Sequence, residues 1–168
     1  MVTMDDFELG RYVGRRRHSS AAEGDVVEVL HRSSGEQLAM KHVEVGLEHG
    51  RPPEVLRDFM RSAGLVPHAG WLRLDAGRCF VHEYTDPLNC PRSRCCIVGE
   101  LADRSLEQEL VHRAVQGRPF GDDVFGLWAD LLHAVQAFHA QGCLHRDVCS
   151  RNVFFKDGAI KLGLPGPS

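Results

Sequence analysis

The chain has 168 residues, 43% hydrophobic and 26% charged, with a formal net charge of −3, a balance that suits one folded domain and excludes a disordered or low-complexity chain. The slight acidity argues against a nucleic-acid or anionic-membrane surface as the main role, since both need clustered lysine and arginine. No run of about 18 apolar residues offers a membrane span, and Met1-Val2-Thr3-Met4-Asp5-Asp6 lacks the basic-then-apolar pattern of an export signal, so cytoplasm or nucleus is expected.

Taken in chain order, apolar and β-branched runs predict strands over Phe7–Val13, Val26–Leu30 and Gln37–Val43, the last two joined by the turn-forming His31–Gly35. These make a small antiparallel meander. Pro52 and Pro53 fit only the start of a helix, here over Glu54–Met60, because proline lacks the amide hydrogen an interior position donates. Weaker signals follow: Trp71–Leu74 and Cys79–Tyr84 as candidate strands, and Asn89–Ser93 as a turn. Cys95–Val98 reads as a further strand and Ser105–Ala114 as a helix. A longer helix begins with Asp122 as its N-cap, keeps Val124, Leu127, Leu131, Val135 and Phe138 on one face, and ends at Gly142. Val153–Phe155 and Ala159–Leu162 close the chain as a hairpin through Asp157-Gly158. The six cysteines show no Cys-x-x-Cys spacing and are expected as thiols, and the basic run Arg15-Arg16-Arg17 as a solvated loop.

The chemistry is concentrated in Leu144-His145-Arg146-Asp147-Val148-Cys149-Ser150-Arg151-Asn152, which carries a His-Arg-Asp-x-x-x-x-Asn spacing after a capped helix and before a hairpin. With Leu38-Ala39-Met40-Lys41 and Cys96-Ile97-Val98-Gly99-Glu100, this resembles a protein kinase, and Gly117-Arg118-Pro119-Phe120 and Asn152-Val153-Phe154 echo the NimA-related serine/threonine kinases in particular. The resemblance implies an α+β, protein-kinase-like fold, with a complete small β-rich lobe over about 7–101 and only the first helices and catalytic-loop hairpin of the large lobe over 102–168. It implies ATP and Mg2+ as cofactors and a protein substrate. Asp147 would orient and deprotonate the substrate hydroxyl, Asn152 would hold a magnesium ion, and Lys41 would contact the phosphates. Gly14, Gly24, Val26, Ala39, Glu100 and Leu101 would line the nucleotide, with Cys95–Glu100 preferred over Cys79–Tyr84 as the strand entering the hinge. Two acids, Asp58 and Glu54, compete to pair with Lys41.

The pattern also breaks. Leu164-Pro165-Gly166 stands where kinases carry Asp-Phe-Gly, and leucine has no oxygen for a hard cation, so Asn152 would be a weak metal ligand alone. The phosphate-covering glycines are spread apart by an enlarged segment between Gly14 and Gly24, Cys149 replaces a lysine, and Arg151 precedes Asn152 as in tyrosine kinases. Gly99 falls where a side chain gates the back of the nucleotide pocket, and an open pocket is expected. With no activation segment after Ser168, the helix of Leu127 and Phe138 is expected to present an uncovered apolar face. The sequence therefore supports a kinase-like domain with impaired catalysis. A non-catalytic scaffold module and an incomplete product of a longer kinase stand as alternatives.

Overall fold

The computed structural model describes residues 2–14, 26–45, 65–66 and 68–164. Gly24, the arginine run and the helix predicted over Glu54–Met60, with both candidate partners of Lys41, lie outside the described residues. The chain divides into two units, Met1–Ala63 with Leu74–Leu101, and Gly64–Arg73 with Ala102–Ser168.

The first unit is built on one antiparallel sheet of five strands: β1 (Phe7–Gly14), β2 (Val26–His31), β3 (Glu36–Val45), β4 (Phe80–Thr85) and β5 (Pro91–Glu100), in the order β1-β2-β3-β5-β4. Side chains alternate across a strand, so Val27, Val29, Leu38, Met40, Cys96 and Val98 fall on one face and are buried there with Phe7. The turn between β2 and β3 closes with Gly35 at φ 67°, where a side chain would be strained, and Gly35 N donates to His31 O at 2.8 Å. The turn expected at Asn89–Ser93 sits earlier. The Asp86 carboxylate accepts from the amides of Leu88 (2.9 Å) and Cys90 (2.8 Å), an Asx-type turn, and β5 already begins at Pro91.

The second unit contains β6 (Arg104–Ser105), α1 (Leu106–Gln116), α2 (Asp123–Ala140), β7 (Val153–Lys156) and β8 (Ala159–Leu162), with the strands in the order β6-β7-β8. Ser105 caps α1, its hydroxyl accepting from Gln108 N while Gln108 returns a bond to Ser105 N. Asp122 stands at the start of α2 as predicted, but its backbone is already helical and its side chain makes no capping bond. At the other end Gly142 has φ 74°, with Gly142 N bonded to His139 O and Cys143 N to Phe138 O, the paired bonds of a left-handed helix stop.

Two further expectations need correcting. Trp71–Leu74 is not a strand: Trp71 makes a single parallel bridge to Leu162 and Leu74 a single antiparallel bridge to Gly99. The indole explains the departure, because Trp71 turns into the second core and its Nε1 donates to the Ala134 carbonyl at 2.8 Å. The α2 face of Leu131 and Phe138 is covered, by Trp71, Val153, Ile160 and Leu162. The exposed apolar stripe lies on the other side of the helix, where Phe125, Trp128 and Leu132 are 72%, 57% and 61% exposed. Helical periodicity identified one apolar face, whereas α2 is apolar on two. None of the six cysteines is in a disulfide, and no described helix is long and apolar enough to cross a membrane.

Candidate functional site

The segment from Cys143 to Leu164 leaves α2 and returns through the β7–β8 hairpin, and polar side chains bonded to main chain give it its shape. His145 is 1% exposed and packs edge-on to Phe138, with ring centroids 4.9 Å apart. Its Nε2 lies 3.0 Å from the Gly163 carbonyl, so Nε2 carries the hydrogen and Nδ1 is left to accept from Asp147 N at 3.4 Å. Burial holds the imidazole below its ordinary pKa, opposed by the Gly163 carbonyl and the Asp147 charge. Arg146 takes the left-handed conformation, φ 60°, on the way to Asp147.

Asn152 closes the loop. Its Nδ2 donates to the Asp147 carbonyl at 2.9 Å and to the Leu164 carbonyl at 2.6 Å, and its main-chain N donates to Cys149 O at 2.9 Å. Gly163 N donates to Asn152 O at 2.8 Å. A Cβ on Gly163 would collide with Asn152 Oδ1 and come within 2.7 Å of Phe154 Cε2, so only glycine fits. Cys149 Sγ donates to Asp147 Oδ1 at 3.2 Å. Glu107 N, in the first turn of α1, donates to Ser150 O at 2.9 Å and ties the middle of the loop to that helix. The result is a half-buried Asp147 carboxylate on a well-braced loop, beside Asn152 and Leu164.

This donor set does not fit a resident divalent cation. Asn152 Oδ1 lies against Gly163, Leu164 contributes no side-chain oxygen, and no group of three His, Cys, Asp or Glu side chains able to hold a metal occurs among the described residues.

The other residues singled out from the sequence lie in the first unit. Lys41 is paired with Val26 on β2 and Ile97 on β5, and Val26 is paired in turn with Gly14. Ala39 stands between Glu28 and Gly99. By alternation Val26, Glu28, Ala39, Lys41, Ile97 and Gly99 share the face opposite the apolar core. Glu100 is paired with Leu38 and so has the parity of the core side, and Leu101 is the last residue of the unit.

Sequence reasoning missed three contributors. Gly163 and His145 were read only as parts of a motif, and no periodicity marks a main-chain carbonyl as an anchor. Glu109 is buried between Arg104 Nε (2.5 Å) and Arg113 Nε (2.6 Å), and the Arg113 bond holds its carboxyl below the usual range. Arg113 in turn covers the Phe120 ring at 4.0 Å. The i to i+4 spacing of Glu109 and Arg113 is the signal that was there to be read.

No protein-family profile matches the chain. It is 23% identical over 175 residues to the mouse interferon-induced, double-stranded RNA-activated protein kinase, covering 96% of this chain and 33% of that protein. It is 26% identical over 165 residues to mouse serine/threonine-protein kinase Nek3 (95% and 28% covered), and 27% identical over 160 residues to human serine/threonine-protein kinase Nek11 (91% and 23%). The chain thus spans about a quarter to a third of the length of these relatives. Together with the five-stranded antiparallel sheet and the helical second unit, they support a protein-kinase-like domain, with a small β-rich lobe and part of a large one.

Proposed function

We propose that this chain is a kinase-like module, nearest in character to the NimA-related serine/threonine kinases, that takes adenine nucleotide and does not by itself transfer phosphoryl groups efficiently. The observation carrying this reading is the main-chain carbonyl of Leu164 against the Asn152 amide, where catalysis needs a carboxylate to hold magnesium on the phosphates. Phosphoryl transfer rests on positioning and charge neutralisation, so a braced Asp147 without that carboxylate is a base with little to act on. Nucleotide binding is supported by Val26, Ala39 and Lys41 sharing one sheet face. The test is labelled ATP with magnesium and a mixture of protein substrates: no incorporation above the Asp147→Asn variant is expected, and incorporation that this substitution abolishes overturns the reading. A nucleotide-dependent rise in melting temperature tests binding.

A second reading, a non-catalytic scaffold, is favoured by the exposed Phe125, Trp128 and Leu132 stripe of α2. Loss of partner recovery on replacing Trp128 by a charged residue, with melting temperature unchanged, would select it.

A further inference from the structure

We infer that Asn152 acts as a clasp in place of a divalent cation, so that the chain takes adenine nucleotide free rather than as its magnesium complex. The clasp is argued from the loop geometry alone; the ligand rests on the kinase-like reading above.

An amide has two donor hydrogens and one acceptor oxygen. A residue whose task is to ligate a cation presents its oxygen to the ion, and its hydrogens brace it from behind. Here both are committed to carbonyls twelve residues or fewer away in sequence, Asp147 O at 2.9 Å and Leu164 O at 2.6 Å. They join the loop to the segment that follows β8, two stretches that a shared metal would otherwise hold together. The oxygen lies over Gly163, close enough that only the absence of a Cβ there admits it. Gly163 is then fixed from two more sides, its amide on Asn152 O at 2.8 Å and its carbonyl on His145 Nε2 at 3.0 Å. Each contact closes the loop without ionic charge, and none requires an ion to neutralise it.

The discriminating variant is Asn152→Asp. It keeps the shape and supplies a better metal-ligating oxygen, but removes both donors and sets a carboxylate against two carbonyls. If Asn152 were a metal ligand, the variant would be tolerated and would gain stability with magnesium. As a clasp, its loss is expected to raise hydrogen exchange of the Asp147 and Gly163 amides by about thirtyfold, the equivalent of two lost hydrogen bonds. Magnesium at millimolar concentration is expected to leave the melting temperature of the unsubstituted chain unchanged, a measurement that holds even if the variant fails to fold. ATP is expected to raise that temperature equally in EDTA and in magnesium.

Stabilisation of the unsubstituted chain by magnesium alone, or a variant as protected as the parent, overturns the clasp. A shift with ATP that requires magnesium overturns the ligand assignment. No shift with ATP in either condition removes nucleotide binding from the proposed function, and the exchange and magnesium measurements then decide the clasp.

Discussion

The five-stranded sheet and the Cys143–Leu164 loop are each well packed, but for different reasons. The core of the sheet is a set of interchangeable apolar volumes: Val27, Val29, Leu38, Met40, Cys96 and Val98 need only be apolar, of about the right size, and on the right parity. In the loop the specification is by atom. Asn152 must donate twice, His145 must donate from Nε2 and accept at Nδ1, and Gly163 must lack a Cβ. A region specified by volume tolerates exchange among similar residues, whereas a region specified by hydrogen bonds does not tolerate even an isosteric change. Asp147 and Asn152, the residues the sequence singles out for chemistry, lie in the second kind of region, where hydrogen bonds to main chain set their geometry.

Matched substitutions test this difference most directly. Gly163→Ala adds one carbon where Asn152 Oδ1 and Phe154 already sit, and is expected to cost about 3 kcal/mol, the upper end for overpacking. Met40→Leu, at a position with no exposed surface, changes shape while roughly keeping volume and is expected to cost less than ~1.5 kcal/mol. Denaturant unfolding measures both. Equal costs would mean that the loop is as permissive as the sheet.

The same distinction explains what the sequence could tell. Strands of the first unit follow from alternation, and β2 and β3 lie where Val26–Leu30 and Gln37–Val43 predicted, one or two residues longer at their ends. Gly142 and Asp157-Gly158 are turn chemistry acting over a few residues, and both appear as read, Asp157 and Gly158 at φ 51° and 79°. Trp71 was misread because its partner, Ala134 O, lies 63 residues away, and a strand-like run of Trp-Leu-Arg-Leu gives no sign of a single long-range donor. The outer stripe of α2 was missed because Val124–Phe138 already satisfied the helical period. In the site, the motif located Asp147 and Asn152, but not the direction of the Asn152 amide. That direction depends on the Leu164 main chain, which any residue type would supply.

Acidity offers a smaller perturbation of the loop. His145 is buried in its neutral form, so its pKa in the folded chain lies below the ordinary 6.5. As pH falls through that value the unfolded chain takes up the proton first, and the folded chain loses stability progressively below it; above it the contribution is complete. Protonation also places a hydrogen on Nδ1, removing the acceptor for Asp147 N. His145→Gln is expected to flatten the stability profile on the acid side of pH 6.5. Glu109, held below its usual 4.5 by Arg113, contributes only in the more acidic range. An unchanged slope in the variant would show that His145 is not the group being titrated.

The mildest test distinguishes the units without altering either. The first holds three cysteines in or beside its sheet whose surroundings differ sharply from that of Cys90. Cys95 and Cys96 are buried in β5, with burial pushing the Cys95 thiol up. The Cys79 thiol is pushed up to about 11 by burial, against the pull of the Val98 amide, and its Sγ accepts from Val98 N at 3.2 Å and donates to Asp75 O at 3.1 Å. Cys90 is exposed in the Asp86 turn. Thiolate is the reactive form, so a small alkylating reagent at neutral pH is expected to modify Cys90 first and leave Cys79, Cys95 and Cys96 unmodified while the chain is folded. Mass spectrometry of the digested protein reads the order, and modification at Cys90 alone is expected to leave the melting temperature unchanged. Cys149 gives the internal comparison, because its thiol donates to Asp147 and should label more slowly than Cys90 though no core covers it. If Cys149 labels as fast as Cys90, that bond does not restrain the thiol. If Cys79 labels early, the sheet is opening locally where its regular register implies that it stays closed.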